Sequence, residues 1–283
     1  MPAALLLVAG GVTAAAFVPL LAERGEPARP GRKELGTLAR ESLAKAVLWA
    51  TAPLGWGHGR PVRGQGDGTP VLIVSDVHHG RHALAGLAMF LRRRGHSYVY
   101  ATRTGRGTLQ QRAEELAHRV RALHQISGAD TIHIVAHGVG GLIAGWYLRH
   151  IGAPVRVGRL VTLGTPWKGT RMAVFGRSAL VRETQPGSSL LDDLAPTDPE
   201  RLVCIWGSLD PMVLPLESAV ADGATSVRLS GAGHLDLLFS ARAYRAVHRA
   251  LEPGAAEEIA DPPEPPGGAL GGARYDAASE EPT

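Results

Sequence analysis

Three positions far apart in the chain have the residue types for nucleophilic catalysis. Asp210 lies in Trp206-Gly207-Ser208-Leu209-Asp210-Pro211, just past an apolar run. His234 lies in Ser230-Gly231-Ala232-Gly233-His234-Leu235, on a loop of small residues. Gly138 lies in Val135-Ala136-His137-Gly138-Val139-Gly140-Gly141, where an apolar run enters a tight turn that opens a helix. In a triad the acid orients the imidazole, and the imidazole takes the proton of a side chain raised on such a turn. The order turn, acid, histidine is the one the G-x-S-x-G elbow uses. Here the central position of the elbow is Gly138, which has no side chain, and Ala136 replaces its first glycine.

Acyl chemistry also needs donors for the developing oxyanion. Val139 would supply one backbone N–H. The second comes from the loop after the first strand, which here reads Ser75-Asp76. A carboxylate at that place opposes a nascent oxyanion. Ser75 ends a neighbouring strand and is the candidate for a stand-in nucleophile. His137 precedes the apex and is expected to point away from the site. Taken singly, Asp210 could cap a turn and His234 could be a polar core residue. The histidines at 118, 124, 133, 150 and 248 read as structural or surface residues.

Positioning these groups requires a sheet. Candidate strands are 71–75, 97–101, 131–136, 159–163, 202–206 and 226–229, with helical patterns between them. Leu109, Ala113, Leu116, Val120 and Leu123 form one apolar stripe at helical spacing. Near-continuous apolar strands alternating with helices predict an α/β fold, with a doubly wound, mostly parallel sheet covered on both faces. The chain divides into 1–24, 25–69, 70–251 and 252–283. These are an apolar anchor or signal segment, an amphipathic helix with linker, the α/β domain and an acidic tail. The tail has too little apolar content to fold and is expected to be disordered.

The 283 residues carry a net charge of +4. From Glu252 onward there are eight acidic residues and one basic, a net −7, so the rest carries +11. A basic body suits an anionic membrane surface, and no nucleic-acid recognition motif accompanies it. The single cysteine, Cys204, sits in an apolar run and excludes a disulfide framework. Residues 3–22 carry no charge and are long enough to span roughly 30 Å as a helix. A retained anchor is the first reading of this stretch, a cleaved signal peptide the second and a buried helix the third. Arg24, Arg29, Arg32, Lys33 and Arg40 follow it and favour a cytoplasmic body. A secreted or periplasmic location is the alternative. The stretch 35–56 could lie in a membrane interface through Trp49 and Trp56, or could pack on the domain.

From about 70 to 251 the chain resembles the lipase/esterase branch of the α/β-hydrolase superfamily. Four segments carry the resemblance: V-A-H-G-V-G-G at 135–141, V-T-L-G-T-P-W-K-G-T at 161–170, W-G-S-L-D-P-M-V-L-P at 206–215 and G-H-L-D-L-L-F-S at 233–240. It implies a short lid around 170–194, Asp210 and His234 as acid and base, and carboxylic ester hydrolysis as the ancestral reaction. It also implies that the nucleophile position is vacant at Gly138. Relatives have His-Gly where this chain has Ser75-Asp76. The expected protein is a catalytically impaired ester hydrolase that binds a lipid-like or ester-like small molecule or a partner, with no metal or cofactor. An active hydrolase using Ser75 is the alternative. A lesser alternative rests on Asp76-Val77-His78-His79, which resembles the first motif of calcineurin-like metallophosphoesterases. There Asp76 and His78 would hold metal, but that family's later motifs are absent.

Overall fold

The computed structural model describes residues 2–23, 31–55, 57, 59–77, 79–152, 155–176, 178–194 and 198–252. His78, Trp56 and residues 253–283 lie outside them, and with them the metal pair Asp76/His78 and nearly all of the acidic tail. In chain order the helices are α1 (Pro2–Glu23), α2 (Arg32–Thr51), α3 (Ala85–Arg92), α4 (Leu109–Ser127), α5 (Val139–Trp146), α6 (Ala179–Arg182), α7 (Ser189–Asp192), α8 (Asp236–Phe239) and α9 (Ala241–Leu251). The strands are β1 (Val62–Arg63), β2 (Val71–Val74), β3 (Tyr98–Thr102), β4 (Thr131–His137), β5 (Arg156–Leu163), β6 (Leu202–Gly207) and β7 (Thr225–Leu229).

All seven strands join one sheet in the order β1-β3-β2-β4-β5-β6-β7. Every pairing is parallel except that of β1 with β3. Each of the six strands expected from the sequence is present. The β1 edge falls in the stretch read as linker. It is two exposed residues paired with β3, Arg63 lying over the Tyr98 ring, so it leaves no apolar pattern to read.

The interior strands are apolar because both faces are covered. On one face α4 and α5 pack Leu116, Val120, Leu142 and Ile143 against Leu72, Ile134 and Ala136. On the other, α3 and α9 pack Leu87, Leu91, Ala243 and Val247 against Ile73, Val135, Val161 and Ile205. Helix α4 starts with a capping box between Thr108 and Gln111 and stops at Gly128 in the left-handed conformation.

The N-terminal helices are part of this body. Helix α1 buries Ala9, Thr13, Phe17, Leu20 and Leu21, and Phe17 and Leu20 cluster with Leu209 and Leu214 beside the Asp210 loop. Among the described residues no helix is long and apolar enough to cross a membrane. Helix α2 packs on the domain, burying Thr37, Glu41, Ala46 and Leu48, with Trp49 partly exposed.

The segment 170–194 forms a 3-10 turn (Arg171–Phe175), α6 and α7. Among the described residues it contributes none to the wall of the cavity above His234, which is roofed by α1 and α2 instead. Thr170 ties this segment down by donating to the Met212 carbonyl and accepting the Leu214 N–H. The expected lid is therefore strapped to the Asp210 loop, away from the cavity.

Candidate functional site

The site gathers where β2, β4, β6 and β7 end. Strand β4 runs into Gly138 at φ 54°, ψ −132°, and α5 begins at the next residue. That backbone belongs to glycine, and for any other residue it costs about 1–3 kcal/mol. Gly138 N–H donates to the Leu163 carbonyl at 2.9 Å, and Thr165 Oγ1 donates to the Gly138 carbonyl at 2.8 Å. The turn is thus locked from the β5 side in the shape of an elbow without a side chain on it.

Across from the elbow, His234 Nδ1 lies 2.8 Å from Asp210 Oδ2, both groups buried. Asp210 Oδ1 accepts the N–H groups of Met212 and Val213 at 2.7 and 3.2 Å. One carboxylate oxygen therefore caps its own turn while the other orients the ring, so the two readings of Asp210 hold together. Gly164, at φ 56°, leaves the space this pair needs. A Cβ there would meet Asp210 Oδ2 at 2.9 Å and His234 Nδ1 at 3.0 Å. This is the physical content of the V-T-L-G-T-P segment.

Asp76 occupies the ground where an oxyanion would form. Its Oδ1 accepts the Val77 N–H at 2.7 Å and the Val139 N–H at 3.1 Å. The Val139 donor that follows the elbow is thus already engaged by a carboxylate. A Cβ on Gly138 would lie 2.9 Å from Asp76 Cγ, so the same carboxylate fills the space a nucleophile would need. Ser75 is buried, and its Oγ donates to the His79 carbonyl at 2.9 Å, closing the loop after β2.

His137 corrects an expectation. Its ring does not turn away from the site but packs against His234 at a tilt of 53°, with centroids 4.5 Å apart, and its Nε2 lies 3.2 Å from the His234 carbonyl oxygen. Strand alternation puts His137 on the same face as Val135, and the loop after β7 folds back over that face with Leu235, Leu237 and Leu238. Only tertiary packing brings that loop there.

Glu41 is a second residue the sequence reading passed over. It sits on the buried stripe of α2 with Leu38, Lys45 and Leu48, and an acid on an apolar stripe was the available signal. Its Oε1 accepts the Asp236 N–H at 2.8 Å. The preceding residue, Arg40, forks onto both carboxylate oxygens of Asp236 at 2.9–3.1 Å, and one turn earlier Thr37 donates to the Gly231 carbonyl. Helix α2 thereby buttresses the loop that carries His234.

These carboxylates set the charge of the site. Burial alone would lower the His234 pKa, but Asp210, then Asp76 and Glu41, outweigh it and hold it at about 9. His234 is an imidazolium at neutral pH. Burial pushes Glu41 up to about 7, against its backbone hydrogen bonds and His234. Burial drives His137 well below its ordinary value, so that ring is neutral. The cavity above His234 measures about 470 Å³ and is lined by Thr13, Leu48, Trp49, Asp76, Val77 and Met212 among others. Ligating atoms of Asp76, His137 and His234 lie within 4.8 Å of one another.

No family model matches the chain. Among solved structures it is similar to Aspergillus fumigatus lipase B, with a TM-score of 0.55 at 16% identity over 68% of this chain and 56% of the lipase. It thus spans little more than half of that protein. It is also similar to the Bacillus licheniformis lipase BlEst2 in its mature form, with a TM-score of 0.52 at 19% identity over 65% of this chain and 92% of the lipase. The propeptide form of that lipase gives a TM-score of 0.53 at 17% identity over 68% of this chain and 53% of the other. With the sheet order and the strand–elbow–helix at Gly138, these likenesses define the fold as that of the α/β-hydrolases.

Proposed function

We propose that this chain is a degenerate carboxylic ester hydrolase, a lipase-like scaffold that keeps the acid and histidine but no longer performs serine acyl transfer. The observation that carries this reading is the Asp76 carboxylate bonded to the Val139 N–H at 3.1 Å. It occupies the oxyanion donor and stands within 2.9 Å of any side chain at position 138. Removing a triad serine costs on the order of a millionfold in kcat. The imidazolium state of His234 adds to the loss, because a general base must be neutral to accept a proton. The Ser75 alternative is disfavoured by its hydroxyl being committed to the His79 carbonyl.

The remaining cavity, partly apolar and roofed by α1 and α2, suits a lipid-like or ester-like ligand. The outer faces of the same helices expose Leu7, Val8, Val18, Leu43 and Val47. With Arg32 and Lys33 at the head of α2, they support membrane-surface association of the body.

A fluorophosphonate probe and a short-chain nitrophenyl ester test the reading on wild type, Gly138→Ser and Gly138→Ser/Asp76→Gly. Wild type and the single variant stay unlabelled, and the double variant, with donor and space restored, becomes labelled. Ester turnover by wild type that disappears in His234→Asn would refute the proposal. Co-sedimentation with anionic vesicles checks the membrane surface, and equal recovery with and without vesicles would dismiss it.

A further inference from the structure

The geometry points to a divalent metal site of the zinc class, formed by Asp76, His137 and His234 beneath the empty nucleophile position, with Asp76 and His234 facing the cavity. One ring nitrogen of each histidine and one carboxylate oxygen of Asp76 lie within 4.8 Å of one another, and all three residues are buried. Two imidazoles and a carboxylate are the donor set that zinc, cobalt and nickel share. In a tetrahedral site with bonds of 2.0–2.1 Å, ligand atoms stand about 3.4 Å apart.

Three further features separate this cluster from a chance meeting of polar groups. His137 is 1% exposed, and among the described residues its Nδ1 has no hydrogen-bond partner. Its Nε2 faces a carbonyl oxygen, which can only accept, so Nε2 carries the proton and Nδ1 the lone pair. A buried lone pair without a donor is costly unless something electrophilic meets it. Next, Asp210 holds His234 through Nδ1, which leaves Nε2 to coordinate once the metal displaces its proton. An acid behind a histidine behind a metal is the arrangement by which proteins fix a ligating ring. The acid–histidine pair of a triad thus supplies a ligating ring and the carboxylate that orients it. Finally, Gly138 carries no side chain, and Asp76 stands in the space one would take. Three protein ligands leave a fourth position open for water or a ligand from the cavity.

This site does not depend on the loss of ester hydrolysis, and its test reads metal rather than turnover. The full chain, stripped with chelator, is titrated with Co²⁺ and Zn²⁺. Ligand-field absorption reports cobalt, calorimetry gives affinity, and metal content is measured after desalting. One equivalent is expected, with a tetrahedral cobalt spectrum. Asp76→Asn and His234→Asn each lose at least 100-fold in affinity, and Asp210→Asn loses 10–100-fold as an outer-shell change. His137→Gln is read only alongside circular dichroism, because that ring is packed. Affinity within threefold of wild type in both Asp76→Asn and His234→Asn marks adventitious surface binding and overturns the proposal, as does less than 0.2 equivalent on wild type.

Discussion

Substituting serine at the vacant elbow should destabilise the protein, and most of the excess cost should lie in one neighbour. Gly138 sits at φ 54°, ψ −132°, and a non-glycine residue there costs about 1–3 kcal/mol. Its new Cβ would lie 2.9 Å from Asp76 Cγ and 3.0 Å from Oδ1. Asp76 must then swing away and give up its bond to the Val139 N–H, a charge-assisted contact of about 1.5–3 kcal/mol. Gly138→Ser is therefore expected to lose roughly 3–6 kcal/mol. At about 2–4 °C per kcal/mol, that lowers Tm by on the order of 10 °C. Asp76→Ala alone loses the same bond, about 1.5–3 kcal/mol. The double variant keeps the backbone strain but loses the bond once. It should be more stable than the sum of the singles by about 2 kcal/mol. Urea unfolding followed by tryptophan fluorescence closes this cycle. Additivity within about 0.5 kcal/mol, the range expected of uncoupled sites, would refute the contact between residues 76 and 138. An unchanged Tm in Gly138→Ser would refute the strain as well.

Glu41 is held at about 7 against an ordinary 4.5. Its raised pKa favours the fold fully below pH 4.5, and that advantage is lost as pH rises through 7, about 3 kcal/mol in all. Glu41→Gln should therefore flatten the stability curve between pH 5 and 8, and parallel curves for variant and wild type would contradict the assignment. His234, held at about 9, should show both ring nitrogens protonated at pH 7 in nitrogen NMR of the chelator-treated protein. The Asp76→Asn variant should move that titration downward, and a titration near 6.5 in wild type would remove the electrostatic argument against a general base. Leu20→Ala should cost about 2–5 kcal/mol as a large-to-small change at a fully buried position. An effect below about 0.5 kcal/mol would mean that α1 does not pack on the Leu209–Leu214 loop in solution.

Much of this architecture was legible in the chain because it depends on short-range chemistry. Apolar runs such as Val71–Val74 can only be strands covered on both faces. The apolar stripe Leu109, Ala113, Leu116, Val120 and Leu123 at helical spacing is α4. Gly138 after an apolar strand marks an elbow, and the order of elbow, Asp210 and His234 places them at neighbouring strand ends. Local pattern also marked Asp76 as a carboxylate close to the oxyanion donors. It could not say that the carboxylate takes the Val139 N–H itself, because that bond joins residues 63 positions apart. The side of the sheet on which the β7 loop returns is likewise a matter of packing, and it turned His137 from a bystander into a neighbour of His234. The roof of the cavity was also decided in three dimensions. The family resemblance implies a lid at residues 170–194, yet Thr170 ties the start of that segment to the Met212–Leu214 loop. Helix α2 takes their place because Arg40 and Glu41 find Asp236 nearly two hundred residues away. Sequence determined the elements and the types of group at their ends. The partners of each charge were decided by tertiary contact, because a buried charge takes whichever counter-charge or donor the fold brings to it.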